Sequence, residues 1–180
     1  MCIRDRVTAA TDQPIDLTGS FDFFVDCTNG TTATITIDIV DGVAETVEFP
    51  DLPLVPDGTA CTISETGTPA GWTLTTPNDV EVVASSESPG TASFTNERDT
   101  ANLTVTKTVI GAPADLDLTT TTFTVDVSCS GDFDASPLEF LDQQIRHGET
   151  LTFPNLPTGA VCTVVEDPDP RFAILSLIHI

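Results

Sequence analysis

The sequence has few basic side chains and lacks the motifs that usually mark an enzyme or a metalloprotein. It contains 6 Lys and Arg residues against 28 Asp and Glu, which gives a formal net charge of −22. A charge of this sign repels nucleic acid and anionic lipid, so both are excluded as partners. There is no Cys-x-x-Cys pair, Gly-rich phosphate loop or Ser/His/Asp arrangement. We therefore expect no catalytic activity, no cofactor and no metal site.

What the chain does contain is one stretch that occurs twice. The first copy reads Phe49-Pro-Asp-Leu-Pro53 and Gly58-Thr-Ala-Cys61-Thr-Ile-Ser-Glu65, and the second reads Phe153-Pro-Asn-Leu-Pro157 and Gly159-Ala-Val-Cys162-Thr-Val-Val-Glu166. Such a repeat indicates an array of one structural unit. With 180 residues, 39% of them hydrophobic, the chain can form two cores of β-sandwich size.

Apolar and polar residues alternate along several short segments, as they do in half-buried strands. The clearest segments are Phe21–Cys27, Ile35–Ile39, Ala92–Asn96 and Phe123–Cys129. Turn signals such as Asn29-Gly30 and Asp41-Gly42 separate them, and no helical periodicity is present. We predict an all-β fold of two tandem Ig-like or prealbumin-like β-sandwiches, residues 7–97 and residues 98–174, the second truncated before its last strands.

Four of the five cysteines occupy matched places in the two repeats, 34 and 33 residues apart: Cys27 and Cys61, and Cys129 and Cys162. We expect one disulfide in each repeat and therefore an oxidising compartment outside the cell. Two pairs of buried free thiols are the alternative.

The two ends of the sequence are related at the level of DNA. ATG TGT ATA AGA GAC AG encodes Met1-Cys-Ile-Arg-Asp-Arg6, and its reverse complement, CTG TCT CTT ATA CAC AT, encodes Leu175-Ser-Leu-Ile-His-Ile180. One inverted DNA element, which resembles a sequencing-library adapter, can encode both ends of the chain. We therefore expect residues 1–6 and 175–180 to be non-native tails and the first strand of repeat 1 to be largely missing.

Four polar residues fall in phase with the apolar face of a predicted strand. They are Glu65, Asn96, Lys107 and Glu166, and Lys107 is the only lysine of the chain. Because residues two apart on a strand share a face, all four are predicted to point into a core.

These residues lie in motifs that resemble a known family. Leu103-Thr-Val-Thr-Lys-Thr-Val109, Thr62-Ile-Ser-Glu65 with Pro69-Ala-Gly-Trp72, and Phe94-Thr-Asn96 are similar to the B-type repeats of collagen adhesins (Cna-B) and to SpaA-type pilins. The resemblance is closer still to disulfide-containing repeats of actinobacterial surface proteins. In the pilin and adhesin family a first-strand Lys, an inward Glu and a last-strand Asn form an intramolecular isopeptide bond.

The resemblance makes Glu65, Asn96, Lys107 and Glu166 isopeptide candidates, although neither repeat holds a complete set. Cys129 lies 102 residues after Cys27, and the same offset places the counterpart of Lys107 at position 5, inside the adapter-like tail. The alternative is that Lys107 snorkels at a sheet edge and that the glutamates hydrogen-bond a loop.

The resemblance implies a non-enzymatic structural repeat of a secreted bacterial protein. It would act as a rigid stalk of an adhesin or pilin-like protein at the cell surface or cell wall, with neighbouring repeats of the same chain as its partners. Two alternatives remain. The first is a module that binds a host protein, a glycan or calcium, the last through Asp115 and Asp117 or Asp132 and Asp134. The second is an accessory domain of a secreted enzyme.

Overall fold

The computed structural model describes residues 2–9, 15–42, 46–48, 55–85, 87, 90–112, 114–131, 133 and 137–172. Every regular element in these ranges is a β-strand, and no helix long and apolar enough to cross a membrane occurs among them. The repeated Phe49–Pro53 segment, the Asp132 and Asp134 pair and residues 175–180 lie outside the described residues.

The strands form two compact units. The first comprises Met1–Thr11 and Asp16–Asp99, and the second comprises Asp12–Ile15 and Thr100–Ile180. The units meet at residues 99 and 100, whereas the predicted repeats meet at residues 97 and 98, and residues 1–6 and 12–15 are also divided differently from the prediction. Residues 2–6, expected to be a tail, belong to a strand of the first unit.

The described residues of the first unit form eight strands: β1 (Cys2–Thr8), β2 (Gly19–Cys27), β3 (Thr32–Ile39), β4 (Thr46–Glu48), β5 (Ala60–Gly67), β6 (Trp72–Leu74), β7 (Asp79–Val83) and β8 (Thr91–Arg98). They form two four-stranded sheets in the orders β4-β1-β8-β6 and β3-β2-β5-β7. All neighbours are antiparallel except β1 and β8, which are parallel.

The core of the first unit lies between the inner faces of its two sheets, as in a β-sandwich. Strict alternation along β2 buries Phe21, Phe23 and Val25. From the opposite sheet, the ring of Phe94 packs on Phe23 with centroids 4.9 Å apart, and Trp72 meets Phe21 edge to face at 5.5 Å. The aromatic residues that the sequence places in strand phase are therefore core residues.

In the part of the second unit that the structure describes there are five strands: β9 (Thr100–Thr106), β10 (Thr122–Ser130), β11 (Leu138–Arg146), β12 (Thr150–Pro157) and β13 (Val161–Glu166). They form a three-stranded sheet, β11-β10-β13, and a two-stranded sheet, β12-β9. The buried residues form two separate clusters, one around Val127, Cys129 and Phe153 and the other around Phe123 and Ile145.

The sequence signals for turns and irregular strands have clear structural causes. The predicted Asp41-Gly42 turn has φ values of 52° and 72°, which are typical of a tight hairpin turn. The weak alternation along β11 comes from a β-bulge: the register with β10 shifts between Val125 and Val127, and Asp142 opposite has a φ of 55°.

Candidate functional site

Each unit has a disulfide between two neighbouring strands of one sheet. Cys27 on β2 lies directly opposite Cys61 on β5, and their sulfur atoms are 2.06 Å apart. Cys129 on β10 and Cys162 on β13 have the same relationship, with an S–S distance of 2.09 Å. The structure thus joins the two pairs that the sequence predicts.

In the first unit, three polar side chains from three strands meet inside the core. Asp5 on β1 and Asn96 on β8 are 0% exposed, and Glu65 on β5 is 5% exposed. The side-chain amide of Asn96 donates to Glu65 Oε2 at 2.9 Å and to Asp5 Oδ1 at 3.3 Å. We call Asp5, Glu65 and Asn96 the first cluster.

The period of the strands explains why these side chains point inward. Burial alternates along β5, so Glu65 shares the inner face with Cys61 and Ile63. Asn96 occupies the corresponding place on β8, two residues after Phe94. The remaining hydrogen-bonding groups of Glu65 are also used, because Thr68 Oγ1 donates to its Oε1 and its backbone N–H donates to Asn78 Oδ1.

The first cluster holds two carboxyl groups and too few donors. Burial, together with the charge of Glu65, raises the pKa of Asp5 from 3.8 to about 6. Among the described residues, neither Asp5 Oδ2 nor Asn96 Oδ1 has a hydrogen-bond partner, and both oxygens are buried. A proton on Asp5 would supply a donor to this cluster and remove one of its two charges.

In the second unit, Lys107 and Glu166 form an ion pair. The Lys107 ammonium lies 2.7 Å from both carboxylate oxygens of Glu166 and 4.4 Å from the ring centroid of Phe123. Their side chains remain 17% and 26% exposed. We call Lys107 and Glu166 the second cluster. Lys107 is therefore held by a carboxylate and an aromatic ring rather than extended into solvent.

Of the four candidates from the sequence, the structure brings together Glu65 with Asn96 and Lys107 with Glu166. The sequence analysis places the counterpart of Lys107 at position 5 but assigns residues 1–6 to a tail, so it does not predict Asp5 as a buried member of the site. The signal that could have found it is the alternation of Ile3, Asp5 and Val7, all of which are buried.

Arg98 is a second buried charge that the sequence did not reveal. Its guanidinium donates to the carbonyl oxygen of Gly71 at 3.0 Å and lies 5.4 Å from the ring centroid of Trp72.

The acidic residues proposed for calcium do not form a site in the described part of the chain, where no group of three or more His, Cys, Asp or Glu side chains could hold a metal. The Asp117 carboxylate instead accepts hydrogen bonds from the backbone and the hydroxyl of Thr119. These hydrogen bonds lower the pKa of Asp117. Asp117 thus stabilises a local turn.

Comparison with known proteins relates this fold to that of bacterial pilins. No curated protein sequence matches the chain. The crystal structure of the major pilin from Streptococcus pyogenes matches with a TM-score of 0.56 at 14% identity, covering 93% of this chain and 82% of the pilin. The T3.2 major pilin of the same species matches with a TM-score of 0.57 at 15% identity, covering 96% and 83%. At these identities the similarity shows a shared fold.

The sequence profile of one protein family matches both units. It covers residues 3–99 and residues 103–174, and it is described as a domain of unknown function, DUF5979. The first match begins inside β1 and includes Asp5. Since the two matches together span most of the sequence, the chain belongs to the DUF5979 family.

Proposed function

We propose that the chain is a pair of non-enzymatic structural repeats from the stalk or shaft of a secreted bacterial surface protein. Its fold is that of pilins, and its two disulfides suit an extracellular location. The resemblance of its cysteine-containing repeats supports an actinobacterial adhesin or pilin-like protein as the setting. In that setting the partners of each unit are the neighbouring repeats.

The observation that carries this proposal is that one strand of each unit is tied to two others. In the first unit β5 is bonded to β2 through Cys61, and through Glu65 it meets Asn96 on β8. In the second unit β13 is bonded to β10 through Cys162 and meets Lys107, which follows β9, through Glu166. Each disulfide joins two strands of one sheet, and each glutamate contact crosses to the other sheet, so the two links together oppose separation of the strands under tension.

We further propose that these clusters occupy the site of a covalent crosslink in complete units of this kind. The amine of a lysine at the position of Lys107 would attack the side-chain amide carbon of an asparagine at the position of Asn96. The new C–N bond replaces the C–NH2 bond, ammonia leaves, and the glutamate transfers the proton. The first cluster has no amine, and no Asn contacts Lys107 among the described residues. We therefore expect no isopeptide bond in either unit of this chain.

A pulling experiment on single molecules tests the mechanical role. The full chain is held between two handles, and its extension is recorded before and after reduction. The disulfides enclose separations of 34 and 33 residues. At about 3.3–3.6 Å per extended residue, reduction should lengthen the extension on unfolding by roughly 110 Å for each unit.

The double variant Cys27→Ser, Cys61→Ser is the matched control. Without reductant it should gain the extra length in one unit only, since Cys129 and Cys162 remain bonded. We expect each oxidised unit to yield in one discrete step. If the oxidised chain extended gradually, with no discrete unfolding steps, the mechanical role would be wrong even with both disulfides intact.

A further inference from the structure

Strand β3 in the first unit has a long backbone edge that no strand covers among the described residues. It is the outermost strand of the β3-β2-β5-β7 sheet, and it pairs with β2 alone. At the start of this ladder the Cys27 N–H donates to the Thr31 carbonyl oxygen. Because hydrogen-bonded and non-hydrogen-bonded pairs alternate along an antiparallel ladder, alternate residues of β3 turn their N–H and C=O groups away from β2. These residues are Thr32, Thr34, Thr36 and Asp38.

Native proteins usually protect such an edge by keeping it short, or by placing charges, proline or a bulge on it. Strand β3 is eight residues long, Thr-Ala-Thr-Ile-Thr-Ile-Asp-Ile, with one charge and an unbroken register with β2. The opposite edge of the same sheet, β7, has five residues and carries Asp79 and Glu81. The edge strands β4 and β6 of the other sheet have three residues each. Within the described part of the first unit, β3 is therefore the edge best suited to accept another strand.

We propose that the β3 edge binds an extended segment of a partner protein in which apolar and basic side chains alternate. The segment would add to the sheet by β-augmentation, in which backbone hydrogen bonds supply affinity and alternate side chains supply specificity. The proposal depends on neither the mechanical role nor the crosslinking site, because β3 contains no residue of the two clusters or of the disulfides.

The inner face of β3 specifies the apolar side chains of the segment. Ile37 and Ile39 are buried, whereas Ala33 and Ile35, in the other half of the strand, are only half-buried. Both of these pack against the core of the first unit. Directly opposite residues of paired strands bring their Cβ atoms to about 4.5–5.5 Å. Apolar side chains of an added strand would therefore cover the exposed parts of Ala33 and Ile35.

The outer face of the same sheet specifies the basic side chains. None of its four strands contains Lys or Arg, and its outward carboxylates are Asp22, Asp26, Asp38, Asp79 and Glu81. Asp38 accepts from the Ser20 hydroxyl at 2.7 Å and Asp22 from the Thr36 hydroxyl at 2.6 Å, but these neutral donors leave the negative charge uncompensated. Lys or Arg on the added strand would compensate it. A second copy of this chain, with a net charge of −22, would instead be repelled.

The test uses the full oxidised chain and the labelled peptide Gly-Lys-Ile-Lys-Val-Lys-Ile-Lys-Gly. Binding is followed by fluorescence anisotropy, and the binding site is mapped by hydrogen exchange with mass spectrometry. We expect one peptide to bind per chain, the amides of Thr32–Ile39 to exchange more slowly, and the affinity to fall as salt is added. Exchange in Asp79–Val83 and in the second unit should not change.

A second peptide, Gly-Lys-Lys-Ile-Val-Ile-Lys-Lys-Gly, is the matched control, because it keeps the composition and the charge but loses the alternation. It should bind at least about tenfold more weakly, since its apolar side chains cannot all face the core side of the sheet. The inference is overturned if the first peptide does not bind, or if the second binds equally well. It is also overturned if slower exchange appears at Asp79–Val83 or in the second unit instead of at Thr32–Ile39.

A pair of protein variants tests the edge itself. Thr34→Pro removes an N–H that points away from β2, so it should abolish peptide binding without removing a bond to β2. Thr34→Val keeps this N–H and should bind like the unchanged chain. Urea unfolding followed by Trp72 fluorescence shows whether Thr34→Pro is folded, and the peptide comparison decides if it is not. Protection of Thr32–Ile39 that grows with the concentration of the chain alone would make a second copy the occupant and overturn the inference.

Discussion

Asp5 in the first unit stands at the position that Lys107 occupies in the second. The strand pairings establish this equivalence, because Ile3 lies opposite Val47 and Val105 lies opposite Leu151, each two residues earlier. In each unit a glutamate follows the disulfide cysteine by four residues. Lys107 binds Glu166 directly, and Asp5 shares the side-chain amide of Asn96 with Glu65. One scaffold therefore holds an acid beside Glu65 in the first unit and an amine beside Glu166 in the second.

The acid in the first cluster should make the stability of the first unit depend on pH. The pKa of Asp5 is raised to about 6 in the folded protein, against 3.8 for the free side chain, so the folded state binds the proton more tightly. Between these two values the free energy of unfolding should fall as the pH rises, by on the order of 2 kcal/mol in total. Below pH 4 this loss is absent.

The variant Asp5→Asn removes this dependence. The free energy of unfolding of the variant should equal that of the unchanged chain near pH 4. The difference in favour of the variant should grow as the pH rises and level off above pH 6. Urea unfolding followed by the fluorescence of Trp72, the only tryptophan, reports on the first unit. Glu81→Gln, an exposed position on β7, is the control. A difference between Asp5→Asn and the unchanged chain that stays constant with pH would show that Asp5 does not titrate in this range.

The ring of Phe94 should be a major contributor to the stability of the first unit. It is 1% exposed and packs between the sheets against Phe23. Phe94→Ala should lower the free energy of unfolding by about 3–5 kcal/mol, through lost burial and the cavity left behind. Phe24→Ala, at a position 37% exposed on β2, should change it by less than about 0.5 kcal/mol. Equal effects of the two changes in urea unfolding would contradict the described core.

The ion pair of the second cluster should contribute modestly to the stability of the second unit. Lys107→Met removes the contacts with Glu166 and Phe123, but both charged side chains are partly exposed, so we expect a loss of about 1 kcal/mol. Arg146→Met breaks the more exposed pair with Glu149, 3.3 Å long, and should have almost no effect. Hydrogen exchange of the β10 amides measures both. A Lys107→Met protein as stable as Arg146→Met would assign no stabilising role to the pair.

Much of the fold could be predicted from local patterns. Strict alternation identifies β2, β8 and β10, and the matched cysteines predict pairs that the structure places opposite each other. The parallel pairing of β1 with β8 could not be predicted, because alternation shows which face is buried but not which strand lies beside it. The short strand β4 gives too few residues for a periodic signal.

The candidate site was predicted only in part, for the same reason. The inward direction of Glu65 and Asn96 follows from their phase along the strand. Glu65 and Asn96 are buried in the first unit, where β8 is present, whereas Lys107 and Glu166 are partly exposed in the second unit, where no counterpart of β8 is described. That difference arises from the tertiary arrangement, which no single segment of sequence encodes.

The most direct test of the proposed crosslinking site is the intact mass of the Asp5→Lys variant, measured before and after reduction. The introduced amine would stand beside Glu65 and Asn96 in a buried site, completing the set that an isopeptide bond requires. We predict that, after the two disulfides are reduced and their four hydrogens restored, the mass is still lower by one ammonia than the sequence implies. The ammonia deficit should be absent when Glu65→Gln is added. A soluble, folded Asp5→Lys protein with its full mass would contradict the proposal that the first cluster is a crosslinking site.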